Sequence, residues 1–201
     1  MHFVPLMGIA FPLGDASGTS GDSLSARYGW QWVPLELGFG AKVTESVYVG
    51  AYLDLSVGYE GSDHVTKRRC EAGDGLDDDL TCSSSSAHLG VEARYTINPT
   101  ETFAGWFGYG IGYTAASQSI SDAGRYEETS TVRGFEFARL SLGLDMRLSR
   151  GFGMGPFAVA SLGRYLKQET TINDYETSAG SIDDQAFHCF LTLGYRLVIF
   201  P

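Results

Sequence analysis

The last stretch of the chain, residues 185–201, alternates between two kinds of side chain. Every second residue from Phe187 to Ile199 is apolar or aromatic, whereas the interleaved row from His188 to Val198 is mixed. A period of two indicates a β-strand with two different faces. A membrane-spanning strand needs about 9–11 residues with this alternation. The pattern therefore predicts a strand that places one face against lipid.

The same alternation recurs along the chain and predicts eight strands. Residues 33–43 and 47–59 are the clearest examples, because each carries an unbroken apolar row opposite a row with polar members. In residues 132–148, Phe135 and Phe137 break the parity, which indicates either a β-bulge near Ala138 or an upper part that stands clear of the membrane. The predicted strands are residues 2–12, 29–43, 47–59, 87–97, 103–113, 132–148, 155–167 and 185–201.

The connections between these strands alternate between short turns and long polar segments. The long segments are residues 13–28, 60–86, 115–131 and 168–184. Short turns at one rim and long loops at the other are typical of outer-membrane barrels. The pattern predicts an all-β, eight-stranded, antiparallel up-and-down transmembrane barrel, with short periplasmic turns, long extracellular loops and a single domain over residues 1–201. A soluble lipocalin-like barrel is the alternative, but apolar rows this continuous would crowd its interior.

Composition narrows the possible partners. Charged residues make up 19% of the 201 residues, below the usual quarter for soluble domains, and no apolar run has the length of a spanning helix. The net charge is -10, and clusters of Lys and Arg are nearly absent, so we expect no nucleic-acid partner. Met1 leads directly into strand-like sequence, and we expect that a leader peptide has been removed.

The end of the chain resembles the C-terminal signal of bacterial outer-membrane barrels, although Pro201 departs from the preferred terminal Phe. The residues that carry the resemblance are Thr192, Gly194, Leu197, Ile199 and Phe200. The whole chain is similar to the small eight-stranded OmpA/OmpX-type barrels. This resemblance implies a bacterial outer-membrane location, surroundings of outer-membrane lipid and lipopolysaccharide, and recognition by the barrel-assembly machinery. It implies no particular activity, because a fold does not determine function.

Charged residues lie on the inward rows of the predicted strands. An eight-stranded barrel has room only for side chains, so each buried charge needs an opposite partner or hydrogen bonds. We predict a plugged lumen without a continuous water pore, in which Trp32, Tyr52 and Trp106 fill the remaining volume; the alternative is an open lumen whose charges select solutes. The predicted network consists of Glu36, Asp54, Glu92, Arg94, Arg139, Asp145, Arg147 and Arg196.

The three cysteines fall in two settings. Cys70 and Cys82 bracket an acidic segment that we expect outside the cell, where oxidising conditions favour a disulfide. Cys189 lies on the apolar row of the last strand and is expected to face lipid as a free thiol. The aspartates of the acidic segment could offer oxygens to Ca²⁺, but their spacing matches no EF-hand loop, and a solvated acidic loop tip is the favoured interpretation. We therefore expect no metal site, and we expect no cofactor. Its aspartates are Asp74, Asp77, Asp78 and Asp79.

Aromatic residues concentrate near the strand ends, where interfacial girdles belong. The set predicted at the loop side is Tyr28, Trp30, Tyr59, Tyr113, Tyr165 and Phe187. The set predicted at the turn side is Tyr95, Phe103, Phe157 and Phe200.

The sequence favours a non-enzymatic barrel that presents acidic extracellular loops to another envelope protein or to the cell surface. A small-solute channel or a carrier of hydrophobic ligands is the alternative. His88 and His188 both point inward on the predicted strands, but a hydrolytic site would also need a nearby Asp and a nucleophilic Ser. An outer-membrane lipid enzyme is therefore the less favoured hypothesis.

Overall fold

The computed structural model describes residues 2–15, 23–60, 80–122, 126–149, 151–173 and 175–199. The strands are β1 His2–Gly14, β2 Tyr28–Lys42, β3 Val47–Glu60, β4 Leu80–Thr96, β5 Phe103–Asp122, β6 Tyr126–Arg147, β7 Phe152–Ile172 and β8 Tyr175–Ile199. Across these described residues the eight strands form a closed barrel, in which each strand pairs antiparallel with the next and β8 pairs with β1. The short helix α1, Leu24–Arg27, precedes β2. No helix within the described ranges is long and apolar enough to cross a membrane.

The outer surface of the barrel carries the apolar rows, which confirms the prediction that the apolar face of each strand points outward. On β6, Leu140, Leu142 and Leu144 are 41–61% exposed, and the interleaved Arg139 and Asp145 are buried. Exposed apolar side chains occur on all eight strands. Such a continuous belt is unfavourable in water and is the expected exterior of a barrel that spans a bilayer.

Several strands are longer than the alternation predicts. β4 begins at Leu80, β5 continues to Asp122 and β8 begins at Tyr175, so much of the segments predicted as long loops is paired strand. These extensions are polar on both faces and therefore lack the apolar row that reveals a membrane strand. Hydroxyl pairs support the ladder, including Ser117 with Thr131 at 2.9 Å between their side-chain oxygens.

A β-bulge on β6 confirms the interpretation of the broken parity. The pairing register shifts between Gly110 and Gly112 on the β5 side and between Glu136 and Ala138 on the β7 side. The extra residue returns both Phe135 and Phe137 to the outer surface, where they are 46% and 41% exposed. It also turns Glu136 into the lumen. The alternation of residues 138–148, extended upstream without a bulge, would place Glu136 on the outer surface.

The predicted aromatic girdles are partly wrong. Among the described members of the two sets, Tyr95, Phe103, Tyr113 and Phe187 are exposed as predicted. Tyr28 and Tyr165 are fully buried, and Phe157 is 6% exposed. Phe157 packs inside the barrel with Trp106, so this ring, which the sequence predicts at the membrane interface, instead fills part of the lumen.

Candidate functional site

Arg139 occupies the middle of the lumen and links strands from opposite sides of the barrel. Its guanidinium bonds to the Glu36 carboxylate of β2 and lies 3.6 Å from the Asp54 carboxylate of β3. It also donates to the Ser161 hydroxyl at 3.1 Å and lies 4.4 Å from the centre of the Tyr52 ring. Only 2% of the Arg139 side chain is exposed, so these contacts replace its water shell.

A second layer lies between this centre and the short-turn rim. Arg94 contacts Glu92 at 2.6 Å and Glu36 at 3.3 Å, so Glu36 joins the two layers. Arg196 forms a two-point ion pair with Asp145. The two guanidinium groups in this layer also lie close to one indole ring. The guanidinium carbon of Arg94 lies 4.9 Å from the centre of the Trp106 ring, and that of Arg196 lies 3.8 Å from it.

A third layer, toward the loop side, is built around Glu136. One oxygen of its carboxylate accepts a hydrogen bond from the Tyr52 hydroxyl at 2.6 Å, and the second oxygen lies 2.9 Å from His88 Nδ1. Glu136 is fully buried and belongs to the same lumen network, yet the sequence prediction did not include it. The local Phe-Glu-Phe order is a signal for it, because two outward Phe residues place the intervening Glu inward.

Glycines on the inward rows make room for these large side chains. A Cβ at Gly90 or at Gly112 would lie 2.5 Å from the Tyr52 hydroxyl, and a Cβ at Gly143 would lie 2.5 Å from the Trp106 ring. Such contacts are closer than packed atoms tolerate, so the missing side chains are part of how the lumen is filled. The inward placement of Tyr52 and Trp106 agrees with the sequence prediction, whereas the Trp32 side chain lies outside the described residues.

An apolar cluster closes the loop-side end of the lumen. Tyr165 stacks on His188 with ring centres 4.0 Å apart, and the Tyr28 hydroxyl donates to the Ala116 carbonyl at 3.4 Å. Because Leu24 belongs to α1, this helix contributes a side chain to the apolar cluster. The buried members of the cluster are Leu24, Tyr28, Ala116, Val132, Tyr165, Ala186 and Phe190.

The structure brings members of the predicted network into contact with an opposite charge. These members are Glu36, Asp54, Glu92, Arg94, Arg139, Asp145 and Arg196. Arg147 lies half-buried at the short-turn rim, and its contacts include a hydrogen bond that it donates to the Pro99 carbonyl at 3.1 Å. Carboxyl groups outnumber guanidinium groups in the buried part of the lumen that the structure describes. There, five carboxyl groups meet three guanidinium groups, and Glu136 is hydrogen-bonded by Tyr52 and His88.

Other predicted residues remain untested. Cys82 lies in β4, but Cys70 and the four acidic-segment aspartates lie outside the described residues, so the disulfide stays a prediction. Cys189 is a free thiol on β8. Among the described residues, no group of three or more His, Cys, Asp or Glu side chains could hold a metal ion.

The residues of the C-terminal signal lie on β8 and alternate as the strand requires. Thr192 is buried in the lumen, whereas Leu197 and Ile199 are 40% and 52% exposed on the outer surface. Gly194 is half-buried and faces Gly8 of β1, and Phe200 lies outside the described residues. Their part in recognition by an assembly machinery stays a prediction.

Two solved structures share this arrangement of strands. Neisserial surface protein A matches with a TM-score of 0.52 and 10% identity, over 98% of this chain and 97% of that one. A major outer-membrane protein from Thermus thermophilus matches with a TM-score of 0.52 and 11% identity, over the whole of both chains. No protein-family model and no curated protein sequence matches the chain. At these identities the likeness establishes the fold: an eight-stranded barrel of the outer-membrane type.

Proposed function

We propose that this bacterial outer-membrane barrel is a closed, non-conducting scaffold that presents a polar β-sheet outside the membrane to a partner protein. The observation that carries the proposal is the continuation of β5, β6, β7 and β8 as a paired sheet beyond the apolar belt. A barrel that only anchored itself would need no such extension.

The filled interior supports the proposal that the lumen is closed and does not conduct. Three layers of buried charged and aromatic groups occupy the lumen, and the apolar cluster around Tyr165 lies above them. Arg139, at the centre, is fixed by Glu36, Asp54 and Ser161. A hydrated pore would have to separate these contacts, and separating them would strand buried charges.

The edge of the sheet supports the binding part. Within the described residues, the ladder between β1 and β8 runs to Gly14, opposite His188, and the Asp15 N–H donates to the Phe187 carbonyl beyond it at 2.9 Å. Above that point, residues 175–180 of β8 pair with β7 on one side, and no strand within the described ranges pairs with them on the other. An open edge offers backbone N–H and C=O groups to a strand from another protein. Because this edge is solvent-exposed and polar, a partner protein in the aqueous phase suits it better than lipid does.

Site-specific photo-crosslinking in intact cells tests the binding part. A photoreactive residue at Ser178, on the exposed edge, should capture a discrete partner protein. The matched control is the same residue at Glu45, which is exposed at the short-turn rim. Absence of a discrete adduct from Ser178, or the same adduct from both positions, would contradict the proposed interaction surface.

Conductance across a planar bilayer tests the closed part independently. We expect no steady single-channel current from the intact protein. Steady currents would exclude the closed lumen and would favour the small-solute channel, in which the same buried charges select solutes.

A further inference from the structure

A cavity of about 50 Å³ opens at the short-turn end of the lumen, below the charge layers. A single water needs roughly 10–15 Å³ of such volume, so the cavity can accept several waters or one small ion. The cavity lies between the β2, β4, β6 and β8 ends and the turn that contains Pro99. Its ionisable lining side chains, apart from Tyr48, are Lys42, Arg94, Arg147, Arg196, Glu101 and Asp145.

The cationic groups exceed the carboxyl groups in this lining by four to two. Asp145 is already engaged by Arg196 through two hydrogen bonds. The remaining lining carboxyl group, Glu101, is exposed at the rim. The lining therefore carries more cationic than carboxyl groups, although Arg94 is also paired with Glu92 and Glu36, which do not line the cavity.

Two arginines that line the cavity each carry a buried donor without an acceptor. Nη1 of Arg196 and Nε of Arg94 are buried and have no hydrogen-bond partner among the described residues. Both side chains are more than nine-tenths buried, with 5% and 6% of their surface exposed. Trp106 does not line the cavity, but its indole packs against both guanidinium groups, and its Nε1 also has no partner within the described part of the chain. All three groups are donors, so the partner that they lack is an acceptor.

We propose that this cavity binds one small oxyanion, a carboxylate or a phosphate group, that enters from the short-turn side. The free guanidinium N–H groups of Arg196 and Arg94 donate to its oxygens, and Lys42 at the rim supplies further positive charge. A planar guanidinium matches an oxyanion geometrically, and burial strengthens the charge-assisted hydrogen bonds. The closed lumen above the cavity makes this a binding site that opens to one side only.

Nuclear magnetic resonance of the protein in uncharged nanodiscs tests the proposal through the Trp106 indole N–H, assigned with a Trp106→Phe variant. Sodium phosphate and sodium acetate are titrated separately at constant ionic strength, with sodium chloride as the reference. We expect a saturable shift with phosphate, with acetate or with both, and the arm that saturates at lower concentration identifies the preferred chemistry. No saturable shift, or an equal shift with chloride, would mean a hydrated cavity and would overturn the proposal.

Two lysine variants separate a built site from general surface charge. Lys42→Gln should weaken the anion affinity about threefold or more, because one exposed charge near a ligand contributes modestly. Lys167→Gln removes an exposed lysine from the outer surface near the opposite end of the barrel, and it should leave the affinity unchanged. Equal effects of the two variants would mean an adventitious ion only and would overturn the assignment.

Discussion

Arg133 and Arg139 lie on the same strand, β6, and meet opposite surroundings. Arg139 faces the lumen with 2% of its side chain exposed, and it bonds to the buried Glu36. Arg133 lies outside, above the apolar belt, with 48% of its side chain exposed and 3.5 Å from Glu169. The two pairs have the same chemistry, but water screens one and is excluded from the other. The comparison shows that environment decides what an ion pair contributes to the barrel.

Replacing the inner arginine should have the largest effect. Arg139→Ala leaves Asp54 buried without its cation and leaves Glu36 with Arg94 alone, and we expect the free energy of unfolding to fall by about 3–5 kcal/mol. Arg133→Ala should lower it by at most about 1 kcal/mol, because water replaces the lost partner. Urea unfolding in lipid vesicles measures both values. Equal losses in the two variants would contradict the difference between the two environments.

The same contrast applies to one buried and one exposed glutamate. Glu136→Ala removes the acceptor that serves Tyr52 and His88, and we expect a loss of about 1–3 kcal/mol for each polar group left unsatisfied. Glu169→Ala, on the exposed pair, is the matched control and should change stability little. The same unfolding measurement applies, and Glu136→Gln should recover part of the loss because the amide oxygen still accepts from Tyr52. Identical losses in Glu136→Ala and Glu136→Gln would show that this hydrogen bond does not stabilise the lumen.

Packing inside and outside can be compared with two glycines of β5. A Cβ at Gly112 would lie 2.5 Å from both the Leu89 carbonyl oxygen and the Tyr52 hydroxyl, whereas a Cβ at Gly105 would meet nothing within 4 Å. Gly112→Ala should therefore destabilise the barrel by about 1–3 kcal/mol through overpacking. Gly105→Ala should be neutral or slightly stabilising under the same unfolding conditions. Tolerance of Gly112→Ala would indicate that Tyr52 can move and that the lumen is less tightly filled.

The smallest effect is expected in the polar sheet outside the membrane. Thr131→Val removes the hydroxyl that pairs with Ser117 and keeps the shape of the side chain. We expect a local loss of about 0.2–1 kcal/mol, the range of a cross-strand pair. Hydrogen exchange should show faster opening of the upper β5–β6 hairpin, while global unfolding stays nearly unchanged. A large global loss would mean that the extension stabilises the barrel itself.

The candidate site was partly predictable from the alternation of side chains. The inward positions of Glu36, Arg139 and Arg196 follow from parity alone, because successive side chains of a strand point to opposite faces. Glu136 was missed because one extra residue at the bulge shifts the parity for everything upstream of it. The polar extensions, such as the start of β8 at Tyr175, were missed for another reason. A strand with water on both faces has no apolar row to reveal it.

The all-β class, the outward apolar belt and the inward charged row follow from the amino-acid sequence alone, because each of these depends only on the period of two within a strand. Which charges meet depends on the closed barrel. Glu36 on β2 and Arg139 on β6 are far apart in the chain and become partners through the lumen of the closed barrel. Closure also decided that Tyr28 and Tyr165 seal the lumen rather than face lipid. Strand parity carries no information about which residues from different strands lie at the same height, because pairing register and barrel closure set that height.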